Sequence, residues 1–169
     1  MPATPQDLFA FLEKIGITTQ TVEHAPLFTV EESQALRGEI AGAHCKNLFV
    51  KDKKGRIFLI VAEEEADIDL KRVHTVIGAS GRVSFGRPEQ LEALLGVKPG
   101  SVTPFGLIND TDHGVTVVLD AAMMEQPVLN YHPLVNTATT TIARDDLVAF
   151  IRACGHTPHI LPVSAAAEG

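Results

Sequence analysis

Lys46 has the sequence setting best suited to chemistry. It stands at the entry to an apolar strand, after the glycine-bearing Gly42-Ala43-His44-Cys45 and before Asn47. A lysine at the end of a core strand either runs its stem along apolar surface to reach water or turns its cation into a cleft. A second candidate is Gly100-Ser101-Val102-Thr103-Pro104, followed by Phe105-Gly106-Leu107-Ile108-Asn109. A loop bounded by glycine and proline can present consecutive backbone N–H groups to a carbonyl or an oxyanion, though an ordinary bend before a strand has the same composition. The third is Asn130 to Thr140, which combines His132, two asparagines and a threonine run. Alone it reads as a turn leading into a strand.

Other chemistry-bearing residues have plainer readings. Cys45 adjoins His44, but neighbours in an extended segment point their side chains in opposite directions, so a buried, inert thiol is the better expectation. His156-Thr157-Pro158-His159 holds two imidazoles, yet the proline precludes a helical metal face, and the segment reads as surface histidines in a loop. Gly78, Gly81 and Gly86 lie between a helix and a strand, where turns account for them. The chain lacks a Walker A loop, a GxGxxG after a strand, a GxSxG elbow and an HExxH pair. Neither a metal nor another cofactor is expected. The two cysteines, Cys45 and Cys154, form no CxxC pair and are expected to stay reduced.

The elements that would position these residues follow from periodicity and punctuation. Thr4-Pro5 with Leu8, Phe11, Leu12 and Ile15 before Gly16 predicts a capped amphipathic helix. Thr18 to Glu23 is β-rich, and Thr29-Val30-Glu31-Glu32 has the capping-box pattern of a second short helix. Asn47–Lys51 and Ile57–Val61 flank Asp52-Lys53-Lys54-Gly55 as a β-hairpin. Asp67–Ile77 reads as a helix stopped by Gly78, Arg82–Phe85 as a strand, and Pro88 to Leu95 as a helix ending at Gly96. Val115–Leu119 and Thr137–Ile142 read as strands, Asp145–Ala153 as a helix, and Ile160–Val163 as an edge strand. Helices and strands alternate without an even βαβ rhythm, which predicts a mixed α/β fold, one compact domain with a mixed sheet.

The 169 residues suit one core, with 45% hydrophobic and 21% charged residues as in ordinary globular chains. The expected domain is 1–165, with a frayed tail at 166–169. The first residues lack the layout of a signal peptide, and no apolar run is long enough to span a bilayer, so a cytoplasmic setting without membrane attachment is expected. A net charge of −7 argues against broad binding of nucleic-acid backbone. The charge is unevenly spread, however. Lys46, Lys51, Lys53, Lys54 and Arg56 stand against the single acid Asp52, and the balancing acids Glu63, Glu64, Glu65, Asp67 and Asp69 come directly after. Such a local patch can hold a few phosphates.

Taken in order, Lys46-Asn47-Leu48-Phe49, Gly78-Ala79-Ser80-Gly81-Arg82-Val83-Ser84-Phe85-Gly86, Gly100 to Pro104 with Phe105-Gly106-Leu107-Ile108-Asn109-Asp110, and His132-Pro133 with Asn136 to Thr140 resemble the YbaK/ProRS-associated editing family. The likeness covers nearly the whole chain and is nearest to the free-standing ProX type (PrdX, ProXp-ala), which deacylates alanyl-tRNA of the proline isoacceptor. It implies a strongly twisted, barrel-like mixed sheet flanked by helices. It also implies ester hydrolysis at the acceptor end of tRNA(Pro), with water as nucleophile and the vicinal ribose hydroxyl assisting. On this likeness Lys46 and His132 are the catalytic candidates. Asn47, Gly100, Ser101, Val102, Thr103, Pro104 and Gly106 would bind substrate, with Asn47 supporting Lys46 by a hydrogen bond. Arg82, Lys51 and Lys53 are assigned to the acceptor stem on charge alone. Partners implied are tRNA and, further off, prolyl-tRNA synthetase or the elongation machinery; specific DNA binding is not expected. The alternatives are deacylation of a cysteinyl or seryl group, a noncatalytic tRNA- or synthetase-binding module, and a metal-dependent hydrolase. The segment Thr29 to Gly42 is polar and glycine-bearing enough to close over a substrate.

Overall fold

The computed structural model describes residues 2–25, 40 and 42–164. The Thr29 capping box, the proposed closing segment over 29–39 and at 41, and the tail from Ala165 lie outside the described residues. Helix α1 spans Pro5–Lys14 and opens on a reciprocal cap. The Thr4 amide donates to Asp7 Oδ2 at 2.9 Å, and the Asp7 amide donates to Thr4 Oγ1 at 3.1 Å. Strands β1 (Gln20–Glu23), β2 (Ala43–Lys51) and β3 (Ile57–Glu63) follow, then helix α2 (Val73–Ile77), strand β4 (Ser84–Phe85) and helix α3 (Pro88–Leu95). The remainder is β5 (Val115–Asp120), β6 (Val128–Tyr131), β7 (Ala138–Ala143), helix α4 (Arg144–Ala153) and β8 (His159–Leu161). Short 3-10 turns lie at Pro99–Ser101, Pro104–Asn109 and Met123–Glu125.

The described strands make one mixed sheet in the order β1-β7-β6-β2-β3-β5-β8, with β4 added to β2. Strands β2 and β3 form the predicted antiparallel hairpin, while β2–β6, β3–β5 and β5–β8 are parallel. Every residue from Ile57 to Ala62 is buried, because β3 is covered on both faces. One face carries the main core of α1, α3 and α4, including Leu8, Leu12, Leu59, Leu95 and Leu129. A run of edge-on aromatic contacts ties its layers together: Phe11 to Phe150 at 5.8 Å, Phe150 to Phe105 at 5.3 Å, and Phe105 to Tyr131 at 6.1 Å. The opposite face of β2, β3 and β5 packs Val50, Phe58, Ile60 and Val118 against Val73, Ile77, Val83 and Val163.

Several expected elements change extent. The helix predicted over Asp67–Ile77 is confined to Val73–Ile77. Asp69 folds the chain into a turn instead: its carboxylate accepts the Lys71 amide at 3.0 Å, and its carbonyl accepts the amides of Arg72 and Val73. The Arg82–Phe85 strand reduces to Ser84–Phe85, the two residues that reach the β2 ladder. Strand β8 is His159–Leu161 rather than Ile160–Val163, since Pro162 offers no N–H to continue it. Strand β6 was not anticipated. It has only four residues, and its buried Asn130 hides the strand signal. That amide is satisfied by Ala43 O at 3.2 Å and by the Thr141 hydroxyl at 2.6 Å.

His156 overturns the expectation of a surface imidazole. It is buried, and its Nε2 lies 2.8 Å from Asp110 Oδ2. The same carboxylate accepts the amides of Gly114 and Val115, both at 2.9 Å, and the His113 ring stands edge-on to His156 at 4.9 Å. This cluster pins the chain after α4 to the end of the Pro104–Asn109 turn.

Candidate active site

Side-chain alternation along β2 sorts the site. Ala43, Cys45 and Phe49 pack on the main core, whereas Leu48 and Val50 pack on the opposite face. Lys46 therefore projects away from the main core and Asn47 toward it. In the parallel β2–β6 ladder Ala43 pairs with Leu129 and His44 with Asn130. Leu129 and Tyr131 face the main core, so Asn130 and His132 face away from it. Lys46 and His132 each lie two residues beyond the last paired positions, His44 and Asn130, where the ladder has ended. The sheet thus brings both candidate catalytic residues to one face.

The strand pairing also opens a gap there. Strand β2 pairs with β6 only at residues 43–44 and with β4 only at residues 50–51, while β3 follows it from 45 to 51. Among the described strands, the edge of residues 45–48 that faces away from β3 has no ladder partner. Lys46 lies at this crevice, and its ammonium donates to the carbonyl of Ala66 in the turn after β3.

Asn47 does not hydrogen-bond Lys46, contrary to expectation, because consecutive strand residues face opposite ways. Its Oδ1 is buried and, among the described residues, has no hydrogen-bond partner. Cys45 lies beside Tyr131, and burial pushes its thiol up to about 12, outweighing the Tyr131 hydrogen bond that lowers it, which favours the protonated thiol. Burial likewise sets Cys154 at about 12.

The His132 Nδ1 lies 3.0 Å from the Ala138 carbonyl. A carbonyl only accepts, so this nitrogen carries the proton and Nε2 presents its lone pair. Burial lowers the His132 pKa below 6.5; the Ala138 bond opposes that shift and nearby His24 adds to it. The folded value lies below the unfolded one, so the neutral ring favours the folded state above pH 6.5. That contribution declines as pH falls through the folded value.

His24 was missed in the sequence. Its ring centroid is 6.4 Å from that of His132, and its Nδ1 and Nε2 each make a 2.8 Å contact, to Ala25 O and Thr139 Oγ1. The available signal was a histidine at the end of a β-rich run, directly before Ala25-Pro26. His24 also walls a cavity of about 470 Å³ with Phe9, Thr21, Pro133, Val135 and Ala138.

The Gly100–Pro104 segment meets the His132 segment. A Cβ on Gly100 would stand 3.4 Å from Asn136 Nδ2. The Ser101 amide donates to Lys98 O at 2.8 Å, the Phe105 amide to Thr103 Oγ1 at 3.3 Å, and the Gly106 amide to Thr103 O at 3.1 Å. Those amides shape the loop, and Ser101, Thr103 and Pro104 are buried. Gly106 packs closely on α3: a Cβ there would come within 2.9 Å of Leu95 Cβ and 3.1 Å of its carbonyl.

Lys51, Lys53 and Arg82 gather at the far end of the hairpin. Lys51 is five residues from Lys46, about 17 Å at ~3.3 Å per residue. The turn is organised by Asp52, whose carboxylate accepts the amides of Lys54, Arg56 and Ser80 and the Arg56 guanidinium, all at 2.9 Å. Burial alone would raise this carboxyl, but the bonds from Ser80, Arg56 and Lys54 outweigh it and hold it at about 2. Its stabilising contribution is present above the ordinary 3.8 and is lost as pH falls toward 2.

Among the described residues no three His, Cys, Asp or Glu side chains group as a metal site, and no helix is long and apolar enough to cross a membrane.

This mixed sheet flanked by helices has the architecture of a known hydrolase class. The profile of the aminoacyl-tRNA editing domain matches residues 24–150. The chain belongs to that family, a family of deacylases, and is an ester hydrolase. It is 35% identical over 153 residues to the prolyl-tRNA editing protein ProX of Acetoanaerobium sticklandii, covering 90% of this chain and 93% of that one. It is 36% identical over 154 residues to the mouse prolyl-tRNA synthetase associated domain-containing protein 1, covering 89% of this chain and 90% of that one. Among solved structures, a candidate trans-editing enzyme for prolyl tRNA synthetase superposes with a TM-score of 0.69 at 20% identity, covering 95% and 98% of the two chains. At that identity the superposition shows the shared fold.

Proposed function

We propose that the chain hydrolyses alanyl-tRNA of the proline isoacceptor in trans, with water as nucleophile. The observation that carries this reading is the placement of Lys46 and His132 on one face of the β2 crevice. The identity to the ProX protein supports the choice of tRNA. The physical need for such an enzyme is clear. A synthetase pocket built for proline rejects a smaller amino acid by only about 1–3 kcal/mol, so alanine leaks through and a second site must hydrolyse the product.

The substrate ester is already reactive, and positioning with electrostatic stabilisation suffices. Water attacks the ester carbonyl, the carbonyl oxygen takes up negative charge, and the ribose oxygen departs with a proton while its vicinal hydroxyl assists. Lys46 exchanges Ala66 O for the terminal phosphate or ribose and orients the ester. His132 offers its Nε2 lone pair to the attacking water or the substrate amine. The amides of Gly100, Val102 and Thr103 face the amino-acid carbonyl, and Pro104 fixes the loop. A complex with prolyl-tRNA synthetase belongs to the same proposal, suggested by the mouse relative's name.

Mischarged tRNAs presented to catalytic amounts of protein test the reading. Alanyl-tRNA should turn over many times and at least tenfold faster than prolyl-tRNA; equal rates would remove the preference for alanine. Faster cysteinyl or seryl release would reassign the substrate. His132→Gln should slow deacylation by about 10²-fold, the usual scale for a positioned base. It should also abolish the acidic limb of the pH–rate profile, a limb that in the parent lies below pH 6.5. An unchanged acidic limb in His132→Gln would assign it to another group.

A further inference from the structure

Phe85 is 60% exposed on β4, an unusual position for a large aromatic ring. It pairs with Val50 across the ladder, and so projects on the same sheet face as Lys46, four residues back along β2. That separation is about 13 Å at ~3.3 Å per residue, along the strand edge that has no ladder partner. Basic residues flank the ring in sequence. Arg87 follows two residues on, Lys51 pairs with Ser84 and so roots on the opposite sheet face, and the Lys53 stem packs against Gly81. Lys51 and Arg87 line one hollow of about 540 Å³ with Glu89 and Gln90. Among the described residues, Lys51, Lys53, Lys54, Arg82 and Arg87 make no ion pair. The Asp52 charge is taken up by Arg56, which leaves Glu89 as the acid facing this group. On a chain of net charge −7, an exposed aromatic close in sequence to unpaired cations is a local reversal of character.

We propose that Phe85 is a stacking platform for a base in the single-stranded acceptor end of tRNA, with Lys51 and Arg87 on the neighbouring phosphates. The strand would run along the open edge of β2, its esterified terminus at Lys46 and an upstream base on Phe85. Stacking suits an exposed ring because every base has a π-face, and charge complementarity selects a polyanion over an apolar partner. This inference rests on the reading of tRNA as the substrate.

The test is binding of uncharged tRNA to the full chain, measured across a salt series. Phe85→Ala should weaken binding by about 5- to 150-fold, the scale of one base stacked on an aromatic ring, with the salt slope unchanged. Phe85→Trp should restore it. Lys51→Ala and Arg87→Ala should each lower the salt slope by about one. Trimming the single-stranded end from the tRNA should weaken the parent and erase the effect of Phe85→Ala, as in a double-mutant cycle. Equal affinity of Phe85→Ala and the parent overturns the proposal, as does an undiminished Phe85→Ala effect on trimmed tRNA. A parent that binds tRNA through Phe85 but releases no amino acid would refute the deacylase reading and leave the platform standing.

Discussion

Lys46→Ala is expected to abolish deacylation of alanyl-tRNA while the protein stays folded. Its side chain leaves β2 on the same face as His132, and its one protein partner among the described residues is the Ala66 carbonyl. A carbonyl at a turn can be rehydrated at little cost, so stability should change by less than about 1 kcal/mol. Catalysis should lose far more. Removing one preorganised group from a developing oxyanion or phosphate typically costs 10²–10³ in rate, about 3–4 kcal/mol. Single-turnover deacylation, with circular dichroism and thermal melting as fold controls, checks both halves. Lys46→Arg keeps the charge but replaces a compact ammonium with a planar fork, so it should recover only part of the rate. Full activity in folded Lys46→Ala would sink the assignment.

Asp110→Ala should produce the largest loss of stability. Three donors converge on this carboxylate, the last two of them buried: the Gly114 and Val115 amides and His156 Nε2. Truncation leaves all three without their acceptor, at roughly 1–3 kcal/mol for each buried unsatisfied group. A net loss of about 3–5 kcal/mol is expected, as when one member of a buried pair is removed. His156→Ala should cost less, because Asp110 would keep both backbone donors. Denaturant unfolding of the two variants gives the comparison, and a loss below about 1 kcal/mol in Asp110→Ala would mean that water replaces the network.

The two expectations separate the site from its scaffold, and the sequence disclosed them unequally. The α1 cap, the β2–β3 hairpin and the glycine-stopped helix α3 were legible because each depends on neighbours within a few residues: a reciprocal cap, a turn between two apolar runs, a left-handed Gly96. The Asp67–Ile77 helix was overextended because the Asp69 side chain competes locally for amides that a helix would use. Strand β6 was hidden because its central Asn130 is acceptable only once Ala43 and Thr141 arrive from other strands.

The residue types and spacing around Lys46, Gly100 and His132 determined the editing-domain resemblance and the candidate list. Tertiary structure decided which of those residues can cooperate. Strand alternation puts Lys46 and His132 on one face and Asn47 on the other, helix α3 packs Leu95 against Gly106, and the β1–β7 pairing brings His24 beside His132. It also takes His156 from an expected surface loop into a buried pair with Asp110, 46 residues away in sequence. Local propensity acts over a few residues, whereas strand register and buried polar partners are set between segments far apart. A single chain read in order carries the first kind of information, and only the folded sheet supplies the second.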